Sequence, residues 1–380
     1  MRIALPAATA LVFGSVLLGA CTVSDAPESA PSPTLNAAAA SPQAAPTPTP
    51  VADAAPTPVK PGEQKTFGDW IVACDNTALC QMASLGPEDG AYPFPPVTMA
   101  VLRQPGPDGA IDLSFDVAGD EKPVRPVAVT IDSRRMPLPA LNGSAAAATG
   151  AAMANGTTLA VLEAGDKRRA TLSLKGASAA MRWIDAQQGR AGTVTALVAK
   201  GDRPAVTVPD RRAAPVIRAV VATGSTSKPT PKQLADMKRL AACGDDSFAA
   251  KMPPEVHALG GGTTLVMLPC SSGAYNLSSA LFVIRGDAVE VAKADVPTGF
   301  GPTPAAAEDA TTSVVNGAWK NGELTSYAKG RGLGDCGVMQ TLVWDGTRFR
   351  LSEQSEMGEC RGNPHYITTW RAQVVRQQPD

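Results

Sequence analysis

The seven cysteines of this 380-residue chain limit its fold more than any other feature. Cys21 stands alone behind an apolar N-terminal stretch. The other six fall into local couples: Cys74 with Cys80, Cys243 with Cys270, and Cys336 with Cys360. Six cysteines admit 15 connectivities. Joining sequence neighbours is the simplest, because each bond then closes a modest loop. Closing a loop of about 25 residues stabilises a fold by roughly 3–4 kcal/mol in the chain-entropy account. Metal binding is the rival use of these thiols. No Cys-x-x-Cys pair occurs, and both zinc ribbons and thioredoxin-type redox centres use that spacing. Three structural disulfides, formed in an oxidising compartment, are the expectation.

Residues 1–20 read as a signal peptide. Arg2 supplies a positive charge, an apolar run extends from Ala4 to Leu18, and small residues precede Cys21. That is the layout of a secretory signal. A bilayer span needs about 20 apolar residues, and this run is shorter and interrupted by Pro6. The ending Leu18-Gly19-Ala20-Cys21 resembles the bacterial lipobox, in which the cysteine is acylated and becomes the mature N-terminus. The resemblance implies lipidation of Cys21 and membrane attachment through that anchor. Thr22 replaces the aspartate that retains such lipoproteins in the inner membrane, which implies the outer membrane, facing the periplasm. Residues 21–65 are mostly Ala, Pro, Ser and Thr, without an aromatic residue. Such a segment buries too little to offset its ordering entropy and reads as a disordered tether. Extended as polyproline II, it reaches on the order of 100 Å.

Roughly 315 residues remain, enough for two domains. The formal net charge is −1 and no long block of like charge occurs, which argues against nucleic acid as a partner. The two histidines, His257 and His365, lack ligand-like companions, so no metal or haem site and no other cofactor is expected. The first globular segment, 66–224, holds short runs that are either continuously apolar or alternate apolar with polar residues. These include "WIVAC" (70–74), "VTMAVLRQ" (97–104), "IDLSFDV" (111–117), "VRPVAVTIDS", "GTTLAVLEA" and "KRRATLSLKG". All read as strands. One helix is clear, with Ser178 as N-cap, Ala180, Met181 and Ile184 on one face, and Gly189 after its end. "AGTVTALVAKG" (191–201) reads as a further strand.

A proline-spaced stretch around residue 225 marks a boundary. The second segment, 225–380, opens with a helix over 231–243 whose apolar stripe is Leu234, Met237, Leu240 and Ala241. Three hairpins follow, turning at Gly286-Asp287, Asn321-Gly322 and Asp345-Gly346. Asn-Gly and Asp-Gly are strong turn signals because a type I′ turn needs positive φ at both central residues. The expected fold class is therefore α+β, predominantly antiparallel β: two β-rich domains with a few short helices, the second a hairpin meander.

Motifs for chemistry are weak. Ser225-Thr226-Ser227-Lys228 fits Ser-x-x-Lys, but it lies in a linker and its companion elements are missing. Gly260-Gly261-Gly262 lacks the Lys-Ser/Thr of a P-loop and reads as a turn into a strand. The acids Asp245, Asp246, Glu356 and Glu359 read as solvated loop charges. The densest constellation is "GRGLGDCG" (330–337) with "ECRGN" (359–363). If Cys336 pairs with Cys360, then Arg331, Asp335 and Arg361 come together, able to bind an anion or carboxylate or to hold two loops in place. No catalytic residue is assigned.

Several stretches resemble the bacterial domain-of-unknown-function family 1176, secreted envelope proteins. They are "FGDWIVACDN", "AAMRWIDAQQGRAGTVTALVAKG", "LPCSSGAYN", "GRGLGDCG", "LVWDGTRFRL" and "CRGN" with Trp370. Together they span roughly residues 66–375. "FGDWIVAC" is also similar to the invasion-associated locus B family of periplasmic β-rich proteins, over the first segment only. The first family has no established catalytic residues, so the resemblance implies an envelope location and no reaction. The expected function is an envelope lipoprotein acting as a non-catalytic binding or structural module, partnered by another envelope protein or a cell-wall component. The alternative is a peptidoglycan or glycan hydrolase whose carboxylates sequence does not pair.

Overall fold

A computed structural model of the chain describes residues 58–88, 95–117, 126–141, 143–243, 248–295 and 313–378. The signal peptide, Cys21, the tether up to residue 57, and Asp245 and Asp246 lie outside the described residues. The described residues belong to one compact unit, Ala55–Asp380.

The first half builds two antiparallel sheets. One runs in chain order through β1 (Lys65–Phe67), β2 (Trp70–Cys74), β3 (Cys80–Ser84), β4 (Val97–Arg103) and β5 (Ile111–Val117). The other has β6 (Ala128–Ile131), β7 (Arg134–Pro137), β8 (Thr158–Leu162) and β9 (Arg168–Ser173) in the order β7-β6-β8-β9. Helix α1 (Gly143–Asn155) precedes β8, and α2 (Ala177–Gln187) follows β9. Ala177, Ala180, Met181 and Ile184 of α2 share a core with Trp70, Val72, Met82, Met99 and Val161. The helix α1 has no amphipathic stripe in its Ala/Gly-rich sequence, so periodicity does not reveal it. Alanine's high helix propensity, together with burial of Ala146 and Met153, forms it instead.

Two expectations in this half are corrected. The cap before α2 is Gly176, in the left-handed region at φ 95°, and not Ser178. A Cβ on Gly176 would lie 1.8 Å from the Phe67 carbonyl oxygen, so the residue that starts the helix is chosen by close approach to β1. Residues 191–201 form turns and an isolated bridge, not a strand. The backbone N–H groups of Leu197, Val198 and Ala199 donate to the carboxylate of Asp185 at 2.9, 2.9 and 3.0 Å. With those donors taken by a side chain, a strand ladder has nothing left to pair.

After β10 (Val216–Val220) and α3 (Pro231–Leu240) come two more sheets. The first holds β11 (Glu255–Gly260), β12 (Thr263–Ser272), β13 (Leu277–Arg285) and β14 (Ala288–Val291), with β15 (Ser313–Val315) also on β13. The second runs in chain order through β16 (Ala318–Lys320), β17 (Glu323–Lys329), β18 (Gly337–Trp344), β19 (Phe349–Met357) and β20 (Ile367–Arg371). Leu265, Leu281, Leu324, Leu342, Phe349 and Trp370 form the core between them. Helix α3 covers the outer face of β12 and β13, burying Met237 against Val266, Leu268 and Phe282. A Thr230–Gln233 capping box starts it. It is shorter than expected, and Leu240 is 46% exposed and so no part of its packed stripe.

All three hairpin turns fall where the sequence places them, joining β13 to β14, β16 to β17 and β18 to β19. Asn321 and Gly322 have φ 54° and 77°, as a type I′ turn requires. The last strand, β21 (Gln373–Gln377), pairs in parallel with β10. Three disulfides join Cys74 to Cys80, Cys243 to Cys270 and Cys336 to Cys360. The chain is thus β-rich α+β and mostly antiparallel.

Candidate functional site

The Cys336–Cys360 bond fastens the β17–β18 loop to the β19–β20 loop. The glycines around it admit the necessary close approach. At Gly337 φ is 144°, and a Cβ would lie 2.2 Å from the Ala328 carbonyl oxygen. Asp335 is fully buried beneath these loops. Arg331 donates to both its oxygens, Nε to Oδ1 at 2.7 Å and Nη2 to Oδ2 at 2.5 Å, and the Gly362 N–H donates to Oδ2 at 2.7 Å. Burial pushes the Asp335 carboxyl up. The Arg331 hydrogen bonds, the Gly362 N–H and the Arg331 charge outweigh it and hold the carboxyl below its ordinary range.

Arg361 stands beside this pair but bonds elsewhere. Its Nη2 donates to Asp69 Oδ1 at 2.6 Å, Nε to the Gly86 carbonyl at 2.6 Å, and Nη1 to the Gly68 carbonyl at 3.0 Å. The three residues singled out in the sequence are therefore neighbours, split between two ion pairs. Arg331–Asp335 closes one loop on another, and Arg361–Asp69 joins the C-terminal loops to the first sheet. Asn363, also buried, donates to the Ser84 carbonyl at 2.6 Å. Tyr327 and Tyr366 both donate to the Gly334 carbonyl, at 2.6 and 3.2 Å. Burial, the Tyr327 hydroxyl and the Asp335 charge push the Tyr366 phenol far above its ordinary value.

A cleft of about 580 Å³ opens at this junction. Pro87, Pro95, Pro96 and Leu333 give it apolar walls, and Asp69, Glu88, Arg331 and Arg361 are its charged residues. The Arg331 side chain is 38% exposed while gripping a buried carboxylate, so it presents a fixed, planar cation at the wall. This arrangement suits recognition of a carboxylate or other anion beside an apolar group.

The other sequence candidates fall elsewhere. Burial raises the Glu356 carboxyl, against hydrogen bonds from Gln354 and Thr369, and Glu359 accepts from Thr66 at 2.9 Å. Neither lines the cleft. Ser225–Lys228 is exposed loop, and Gly260–Gly262 turns β11 into β12. His257 stacks on Trp319 at 5.9 Å between ring centroids, and His365 lies 2.7 Å from Asp116. Among the described residues no group of three or more His, Cys, Asp or Glu is placed to hold a metal ion, and no helix is long and apolar enough to cross a membrane. Sequence reading passed over Asp185 and the buried pair Arg103 and Arg190. The hint in the sequence is Gln187-Gln188 at the end of α2 with Arg190 just beyond Gly189.

No solved structure matches the chain. It is 28% identical over 336 residues to an uncharacterized protein, YpfG, of Escherichia coli strain K12, with 81% of this chain and 91% of that protein covered. The model of a family described as a protein of unknown function (DUF1176) matches residues 64–373, a span that contains both large cores, all three disulfides and the cleft, so the chain belongs to the DUF1176 family.

Proposed function

We propose that this protein is a non-catalytic binding module of the cell envelope, held at the outer membrane by lipid on Cys21, facing the periplasm. Its cleft takes a carboxylate-bearing segment of another envelope protein or a cell-wall component. The observation that supports this most is the pairing of the cleft's two arginines. Each is clamped by a carboxylate, and Arg361 by two carbonyls as well. Groups held this way are pre-organised for recognition and are poor at exchanging protons. The lipobox and tether support the location.

Three measurements test the reading. A photocrosslinking residue at Leu333, in intact cells, is expected to give a discrete adduct that Arg331→Glu abolishes. A clearing zone on a peptidoglycan zymogram made by the purified protein would overturn the non-catalytic assignment in favour of a hydrolase. Cys21→Ser is expected to move the protein from the membrane to the soluble fraction, and continued membrane retention would remove the anchor.

A further inference from the structure

A second cleft, sharing no lining residue with the first, lies beside the end of β4 and the chain that follows α2. Arg103 ends β4, and Arg190 follows α2; they are 4% and 0% exposed. The nearby carboxylate, Asp185, is spent on the three N–H groups of Leu197, Val198 and Ala199. Two buried cations therefore share one occupied anion. Arg190 is satisfied: Nε donates to Gln188 Oε1 at 2.8 Å, Nη1 to Thr195 Oγ1 at 3.0 Å, and Nη2 to the carbonyls of Gln104 and Gly106 at 3.1 and 2.5 Å. Arg103 is not. Its Nη2 donates to the Thr195 carbonyl at 3.0 Å, while its Nε is buried and has no hydrogen-bond partner among the described residues. A buried guanidinium with an unmet donor is costly unless something else supplies the acceptor. Burial, and then the charge of Arg190, lower the Arg103 pKa to about 10, against the pull of Asp185.

Arg103 lines a cleft of about 570 Å³ between the β4–β5 turn, α1 and residues 194–200. Its walls are largely apolar, with Ile111, Leu197, Ala148 and Ala151 facing it, and the exposed Asp108 and Lys200 balance each other at its edge. We infer that this cleft binds a small organic monocarboxylate, its carboxylate on the Arg103 guanidinium and its aliphatic part against α1 and Leu197. The excess of one buried positive charge matches a monoanion. The single under-used planar fork matches a carboxylate better than a phosphate, which would need donors from several sides. The site is distinct from the cleft at Arg331 and stands or falls independently of it.

Isothermal titration calorimetry of the purified full chain in chloride-free buffer tests this, with acetate, hexanoate and inorganic phosphate as probes. Hexanoate is expected to saturate one site and to bind at least about tenfold more tightly than acetate, since its extra methylenes are buried. Phosphate is expected to bind more weakly than hexanoate. Arg103→Gln should weaken hexanoate by about tenfold or more, the loss of a charge-assisted pair. Should that buried substitution disturb folding, Ala148→Phe fills the cleft from an exposed position on α1 and is expected to abolish hexanoate binding at an unchanged melting temperature. The proposal is overturned by no saturable heat with hexanoate up to about 10 mM. It is equally overturned by phosphate binding more tightly than hexanoate, or by a folded Ala148→Phe that binds as wild type does.

Discussion

Single carboxylates hold together loops that no regular ladder reaches. Asp75 accepts from the N–H groups of Thr77 and Leu79 at 2.8 and 3.1 Å, and from the Thr77 hydroxyl at 2.7 Å. Asp185 and Asp335 do the same work in the 197–199 and 330–362 loops. Replacing Asp185 with Ala strands three N–H donors, each unmet buried donor costing about 1–3 kcal/mol. The expected result is a loss of several kcal/mol in urea unfolding, with early proteolytic cutting near residue 197. Asp335→Asn is expected to cost about 1–3 kcal/mol at neutral pH. Because the folded Asp335 carboxyl titrates below its unfolded value, its contribution is complete above the unfolded pKa of about 3.9 and fades as pH falls through the folded one. The gap between wild type and Asp335→Asn should accordingly narrow on acidification. A gap that stays constant with pH would show that the carboxylate's charge has no part in it. The sequence exposed Asp335, because glycines and a cysteine crowd around it. Asp185 stayed hidden, because a helix-end aspartate looks the same whether it faces water or three amides.

Hairpins were the most legible elements, since their turn chemistry is local. Gly322 at φ 77° would also put a Cβ 2.9 Å from Arg376 Nη1. Gly322→Ala is therefore expected to destabilise the β16–β17 hairpin by about 1 kcal/mol or more, read as a drop in melting temperature. The Cys243–Cys270 bond pins the chain just after α3 to β12 across a separation of 27 residues. Replacing both cysteines with serine should cost roughly 3–4 kcal/mol, and the loss should appear in hydrogen exchange of α3 before that of β17–β19. Mass spectrometry of the mature protein is expected to find no free thiol among these six. Elements shaped by partners were less legible. Residues 191–201 carry a strand's apolar content, yet Asp185 takes their amides. The helix α1 carries no stripe, yet small side chains let it lie close to α2 and β5.

Across the molecule, β2 and β3 are apolar on both faces because both are covered. Trp70, Val72 and Met82 point into the first core, while Ile71, Ala73, Ala83 and Leu85 meet Met357, Ile367 and Cys336 from the far end of the chain. Strand alternation accounts for the split. The junction is reinforced by polar contacts. Asn76 exchanges two hydrogen bonds with the Arg371 backbone, each 2.9 Å, and Arg371 pairs with Asp75. Residues 58–224 expressed alone should therefore expose an apolar patch and self-associate in light scattering. A monomeric, cooperatively folding fragment would show that the junction is dispensable. The run "WIVAC" reads from sequence as a strand, and only the packing shows that both its faces are covered. Composition, cysteine spacing, turn dipeptides and alternation are properties of neighbours along the chain, and they were enough to determine a β-rich, disulfide-bonded fold with three placed hairpins. Some of the ion pairs join segments about 290 residues apart, as in Arg361 with Asp69 and Arg371 with Asp75. Only tertiary packing decides those pairs, because loop closure brings together groups whose sequence separation carries no trace of the contact.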